Sequence, residues 1–424
     1  MREELLHFIW KTNKLQQKAL HTSKKEAVQI FHPGTHNMGS GPDFFNAKIE
    51  IDGQLWAGNV EIHLKSSYWY AHHHETDVNY DNVILHVVWE DDVSVFRKDR
   101  SEIPTLELQG HVPNTLLDAY RALLENSKRR FINCEKDIAK VPLLLWNNWL
   151  ERLYIERLEQ KATAIFKLLE VSKNDREQVL FTLLLKNFGT KINGSSFESI
   201  SKTLDFSTVR KLRQDMMSLE STLLGLCGLL TNNTLEDGYC IAAQKEFEYQ
   251  KNKFGLNPNK VHPPEFFGLR PSNFPTIRLS QFASLYHREE NLFSKLIAVT
   301  SSKDFYRLFA VEPSAYWQEH YTFGRPSKKS SEKLTKSFID LLVINTVVPL
   351  KFAYAKKRNS NVDTEIITLL SSLKAEGNSV IKNFTELGVS IENSLGSQAV
   401  IQLHSNYCAH NQCLKCAVGA SLLG

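Results

Sequence analysis

The sequence has few cysteines, no long apolar run and no strong excess of either charge. Its 6 cysteines are thinly spread over 424 residues, with Cys134, Cys227 and Cys240 isolated, so they do not form a disulfide framework. The opening MREELLHFIW carries acids where a secretory leader carries bases and has no sustained apolar segment, so a cytoplasmic location is expected. The most apolar later stretch, Phe338 to Leu350, is interrupted by Asp340, Asn345 and Pro349. It falls short of the roughly 20 residues that a spanning helix needs, so no membrane association is expected. Lys and Arg number 51 against 47 Asp and Glu, for a net charge of +4, which excludes a global basic field of the kind that announces nucleic-acid binding. No repeat recurs along the chain, which disfavours a solenoid.

What is present is ordinary globular material, 42% hydrophobic and 23% charged, enough for two or three domains. The patterning divides the chain in two. Over residues 1–112 an N-terminal helix is followed by strand signals. Asp52-Gly53 stands between Asn46–Ile51 and Gln54–Lys65 as a hairpin turn, Val83–Trp89 is a β-branched run, and Ile103–Leu108 is a weaker one. Over residues 113–424 apolar residues recur at spacings of three and four, as in Trp146, Trp149, Leu150 and Leu153, and again in Val179, Leu183 and Leu184, so this region reads as largely helical. The fold class is therefore α+β, a mixed sheet flanked by helices and followed by a largely α-helical region. No oligomeric state can be read from the sequence.

Chemistry concentrates between Gly34 and Lys65. A turn-rich approach through Gly34, Asn37, Gly39, Gly41 and Pro42 delivers Asp43 to the start of a strand. Strand alternation then places Trp56, Val60, Ile62 and Leu64 on one face, to be buried, and Asn59, Glu61, His63 and Lys65 on the other. Such a polar row is either a solvated face or a site. Read as a site, Asp43 and Glu61 converge on one divalent cation, Mg²⁺ or Mn²⁺, and His63 or Lys65 positions a water or offsets phosphoryl charge.

Gly41-Pro42-Asp43, a hairpin, and then Glu61-Ile62-His63 resembles the PD-(D/E)xK nuclease superfamily. The resemblance implies a restriction-endonuclease-like fold: a leading helix, three antiparallel strands (the first near Ala27–Phe31), a helix here over His72–Asn79, and a further strand. It also implies Asp43 and Glu61 as metal ligands, a carbonyl ligand from Ile62, and phosphodiester hydrolysis on nucleic acid. His63 stands where that family has lysine, so His63 replaces it, Lys65 reaches in, or the chain is an inactive relative that binds nucleic acid or protein. Across its whole length the chain also resembles a bacterial family of unknown function, through GPDF, GNVEIH, VILHVV, RPSNFP and the terminal cysteines. No activity follows from that second resemblance.

Three further groups carry alternatives. His72, His73, His74, Asp77 and His86 make either a His-ligated transition-metal site or a solvated turn with one core histidine. Cys408, Cys413 and Cys416, spaced C-x4-C-x2-C, either bind Zn²⁺ with a histidine or Cys134 as fourth ligand or are packed free thiols. Arg270 and Arg278, flanking Pro271–Pro275, either bind phosphate or tie a loop together.

Overall fold

The computed structural model describes residues 1–16, 20–124, 131–231 and 237–423. The chain forms two compact units, one of Met1–Trp149 with Glu386–Val389 and Leu403–Gly424, the other of Leu150–Thr385 with Ser390–Gln402. The unit holding the mixed sheet thus continues past residue 112 and takes in the cysteine-bearing tail.

In that unit α1 (Glu3–Thr12) begins with Glu3 and Glu4, whose charges suit a helix N-terminus, and stops at Asn13 in the left-handed conformation. It is followed by β1 (Leu20–His21), β2 (Ala27–His32), β3 (Thr35–His36), β4 (Phe44–Ile51), β5 (Gln54–Lys65), α2 (Tyr68–Ala71), β6 (Val83–Glu90), β7 (Thr105–Glu107) and α3 (Asn114–Leu124). The strands form one sheet in the order β1-β2-β4-β5-β6-β7, with β3 paired to β4. Pairing is antiparallel from β1 to β5 and parallel from β5 to β7, so β5 is where the two halves of the sheet meet. Leu5, Leu6 and Ile9 of α1 bury one sheet face together with Phe44, Ile49, Val60, Ile62, Leu85 and Val87, and Leu423 of the tail joins the same core. Each such side chain contributes about 1.5–3 kcal/mol on full burial.

The opposite face is covered by the parallel crossover, residues 66–82. Asp92 anchors its start, accepting from Ser66 Oγ, Ser67 N and Ser67 Oγ at 2.9 Å each. The helix expected over His72–Asn79 lies earlier and is shorter, ending at Ala71; His73 takes a positive φ of 61°, and Asp77 caps the turn at Asn79. That face buries Trp69, Tyr80, Val83, Val95 and Ile103.

Strand parity alone groups Val83 with Leu85 and Val87. The register differs, because Asn59 pairs with Val83 but Val60 pairs with Leu85, leaving Ile84 as an extra, bulged residue. Beyond the bulge Glu61 faces His86 and Ile62 faces Val87. The bulge therefore turns His86 onto the face of Glu61 and His63. Gly58 makes room for it, since a Cβ there would stand 2.3 Å from Ile84 Cγ2 and 2.8 Å from the Asn82 carbonyl oxygen.

Val60 and Ile62 are buried as alternation requires, but Trp56 is 43% exposed. Alternation selects a face and not its cover, and the first residues of β5, Gln54–Ala57, are all exposed.

The second unit is mainly helical, with Arg176–Phe188, Met216–Leu226 and Pro275–Arg288 among its buried elements and a short two-stranded sheet of His320–Thr322 and Arg325–Pro326. Arg278 ties the proline-rich loop to its helix, donating to Asn273 Oδ1 at 2.6 Å and lying 3.7 Å from the Phe338 ring centroid. Among the described residues one helix, Lys336–Lys357, is long and apolar enough to cross a membrane by length and composition, and its most apolar window is 78% buried.

Gly58→Ala tests the bulge. The added methyl cannot be accommodated without moving Ile84 or the Asn82 carbonyl, and such overpacking costs about 1–3 kcal/mol. The urea midpoint should fall accordingly; an unchanged midpoint would show that the bulge does not depend on this contact.

Candidate metal centre

The site is built where β4 begins, β5 ends its buried stretch and α1 passes beneath. Phe44 pairs with Val60 across the antiparallel ladder, which sets Asp43 opposite Glu61. The two are interlocked: Asp43 N donates to Glu61 Oε2 at 3.1 Å, and Ile62 N donates to Asp43 Oδ2 at 3.0 Å. His7 Nε2, from α1, lies 3.2 Å from the same Asp43 oxygen.

A column of imidazoles continues from Glu61. His63 Nε2 and His74 Nε2 each lie 3.4 Å from Glu61 Oε1. His63 Nδ1 meets His86 Nε2 at 2.9 Å, and His63 Nε2 meets His72 Nδ1 at 3.1 Å. The rings are packed as well as hydrogen-bonded. Tyr80 stacks on His74 at 3.7 Å between centroids, while Trp69 lies 5.5 Å from His86. The column runs from fully buried His86 through His63, 1% exposed, to exposed His72. The ligand nitrogens of His63, His72 and His74 all lie within 4.8 Å of one another.

Burial is the dominant electrostatic effect. It raises the Glu61 carboxyl far above its ordinary value, and the neighbouring Asp43 charge adds to the rise. It also drives His63 down to about 2, with His86 and His74 pressing in the same direction, and His86 to about 3. Both imidazoles are therefore neutral ligands or hydrogen-bond partners at neutral pH. For His7 burial opposes the charge, but the Asp43 carboxylate beside it outweighs that and raises the pKa.

Of the residues singled out by sequence, Asp43, Glu61, Ile62 and His63 come together, and His72, His74 and His86 join them. Lys65 does not. It ends β5 at the solvent edge and binds Glu90 at 3.0 Å. His73 points outward, and Asp77 accepts from Asn79 in its own turn. Cys408, Cys413 and Cys416 lie in the tail of the same unit, and no three of the thiols are drawn within 4.8 Å of one another among the described residues. Sequence reasoning missed His7. Its only trace there is a single polar ring inside the apolar run Leu5-Leu6-His7-Phe8-Ile9-Trp10.

Glu61 gives a signed pH effect. The unfolded carboxyl titrates near 4.5, whereas the folded one holds its proton to much higher pH. Its contribution to stability is full below the unfolded value and is lost as pH rises toward the folded one. Metal-free wild type should therefore lose melting temperature relative to Glu61→Gln between pH 5 and pH 9, at about 2–4 °C per kcal/mol. A pH-independent gap between the two proteins would contradict the assignment.

Residues 3–379 match the family described as Protein of unknown function (DUF2851), and the chain belongs to that family. Neither the comparison with curated proteins nor that with solved structures gives a match.

Proposed function

Starting from membership of a family without an assigned activity, we propose that this protein is a metal-dependent phosphodiester hydrolase acting on nucleic acid. The observation that carries the reading is the interlock of Asp43 and Glu61 on facing strand positions, with the Ile62 backbone between them. The element order supports it too. A leading helix, antiparallel strands through β5, a crossover and parallel β6 follow the arrangement that the PD-(D/E)xK resemblance implies.

The donor set fits a divalent cation. Two facing carboxylates, one of them buried and strongly disfavoured as an anion by itself, are compensated by a positive ion, and the imidazoles beside them suit Mn²⁺ better than Mg²⁺. Asp43 and Glu61 would hold it. Bound there, such an ion supplies activation of water and neutralisation of phosphoryl charge. The protein's own groups do the rest. His7 sets its ring beside Asp43, with Nε2 3.2 Å from Oδ2. His63 occupies the superfamily's lysine position as a neutral ring, so it orients by hydrogen bonding and adds no charge. His72, the exposed end of the column, offers a path by which a proton released from water reaches solvent.

A second reading, a His-ligated transition-metal enzyme, is favoured by the grouping of His63, His72 and His74. Tight zinc or iron copurifying at this cluster selects it, whereas weak, exchangeable Mn²⁺ or Mg²⁺ selects the hydrolase.

Under the hydrolase reading, Mn²⁺- or Mg²⁺-dependent cleavage should be found among duplex, single-stranded and structured DNA and RNA substrates. Glu61→Gln and His63→Ala should each lower the rate by about 10²–10⁴. Lys65→Ala should change it little, because Lys65 pairs with Glu90 at the solvent edge and lies outside the cluster. Folded wild type without metal-dependent cleavage on any of these substrates would favour a binding module instead.

A further inference from the structure

Four of the six cysteines fall in the sheet-bearing unit although they come from distant parts of the chain. Cys134 follows α3, and Cys408, Cys413 and Cys416 lie in the tail; Cys227 and Cys240 belong to the other unit. Two contacts fasten the Cys134 segment to the tail. Phe131 stacks on His404 at 4.9 Å between centroids, and Asn133 Nδ2 donates to Asn411 Oδ1 at 3.0 Å. We propose that Cys134, Cys408, Cys413 and Cys416 bind a thiophilic metal centre, a zinc ion or an iron–sulfur cluster, through four thiolates.

The geometry around the sulfurs carries the argument. Cys416 N donates to the Cys413 carbonyl at 3.2 Å, so a single tight turn presents both thiols. Gly419 packs directly on that turn, where a Cβ would stand 2.1 Å from the Cys413 carbonyl oxygen. N–H groups are aimed at sulfur. The Val418 and Gly419 amides face Cys416, the Trp149 indole reaches toward it more loosely than a formed hydrogen bond, and Asn133 Nδ2 lies 3.5 Å from Cys413 Sγ. A neutral thiol is a weak acceptor, so such a cradle suits thiolate.

Donors set around sulfurs that come from two distant chain segments suit a bound cation, which takes thiolates as its ligands. Zinc coordination would bring the sulfurs to roughly 3.8 Å from one another, given Zn–S bonds of about 2.3 Å. No three of the sulfurs lie within 4.8 Å of one another, so zinc would have to draw them together, whereas a larger sulfide-bridged iron unit would ask for less movement.

Full-length protein purified anaerobically without chelator decides the matter. Elemental analysis should return about one zinc per chain, or about two to four irons with matching sulfide and visible absorption. X-ray absorption at the corresponding metal edge should show an all-sulfur protein shell. Cys134→Ser should lower metal content several-fold, while Cys227→Ala should leave it unchanged. Neither metal at stoichiometric level, a nitrogen or oxygen shell, or full metal retention in Cys134→Ser would overturn the proposal. The absorption measurement needs only wild type, so it stands even if the serine variant fails to fold.

Discussion

The arrangement of the candidate centre depends on one extra residue in β6. If β5 and β6 ran in unbroken register from Asn59 and Val83, Glu61 would meet Leu85, and His86 would point into the apolar core beneath the sheet. The bulge at Ile84 moves that boundary by one residue, so that everything beyond it trades faces. A glycine at position 58 is the other half of the device, because the bulged isoleucine fills the space a side chain would take. His86 can then support His63, and His63 supports His72.

That support is bought with burial. Over Val60–His63 both faces of β5 are covered, and a strand covered on both sides forces its polar residues to find partners inside the protein. Glu61 finds the Asp43 amide and two imidazoles, and His63 finds an imidazole on each ring nitrogen. The result is a rigid, largely neutral column whose charge is unsettled at one place, the pair of facing carboxylates. A cluster of this kind is poorly explained as a device for stability, since apolar residues would fill the same volume at lower cost.

Much of this was legible in the sequence, because period-two alternation and the Asp-Gly turn are local signals. They brought Asp43, Glu61 and His63 together and buried Val60 and Ile62. What escaped reading was what local pattern does not encode. A bulge shows no signature in the residues that form it, Trp56 obeys alternation but finds nothing above it, and Lys65 shares the face of Glu61 while its strand has already reached solvent. His7 comes from a helix whose approach is set by packing. The crossover helix was misplaced because Ser66 and Ser67, by bonding Asp92, start it before the histidines and not among them.

The sheet-bearing unit is discontinuous in the chain, and that has a consequence during synthesis. All seven strands of the sheet have been synthesised by residue 107, yet Leu414, Ala420 and Leu423, which pack on the same core, follow about 300 residues later, some 15–60 s at about 5–20 residues per second. For that interval the nascent sheet carries an apolar surface that its own chain has not yet supplied the means to cover. The helical residues of the other unit are made while that surface waits, so the last turn of the chain closes a core that its first hundred residues began.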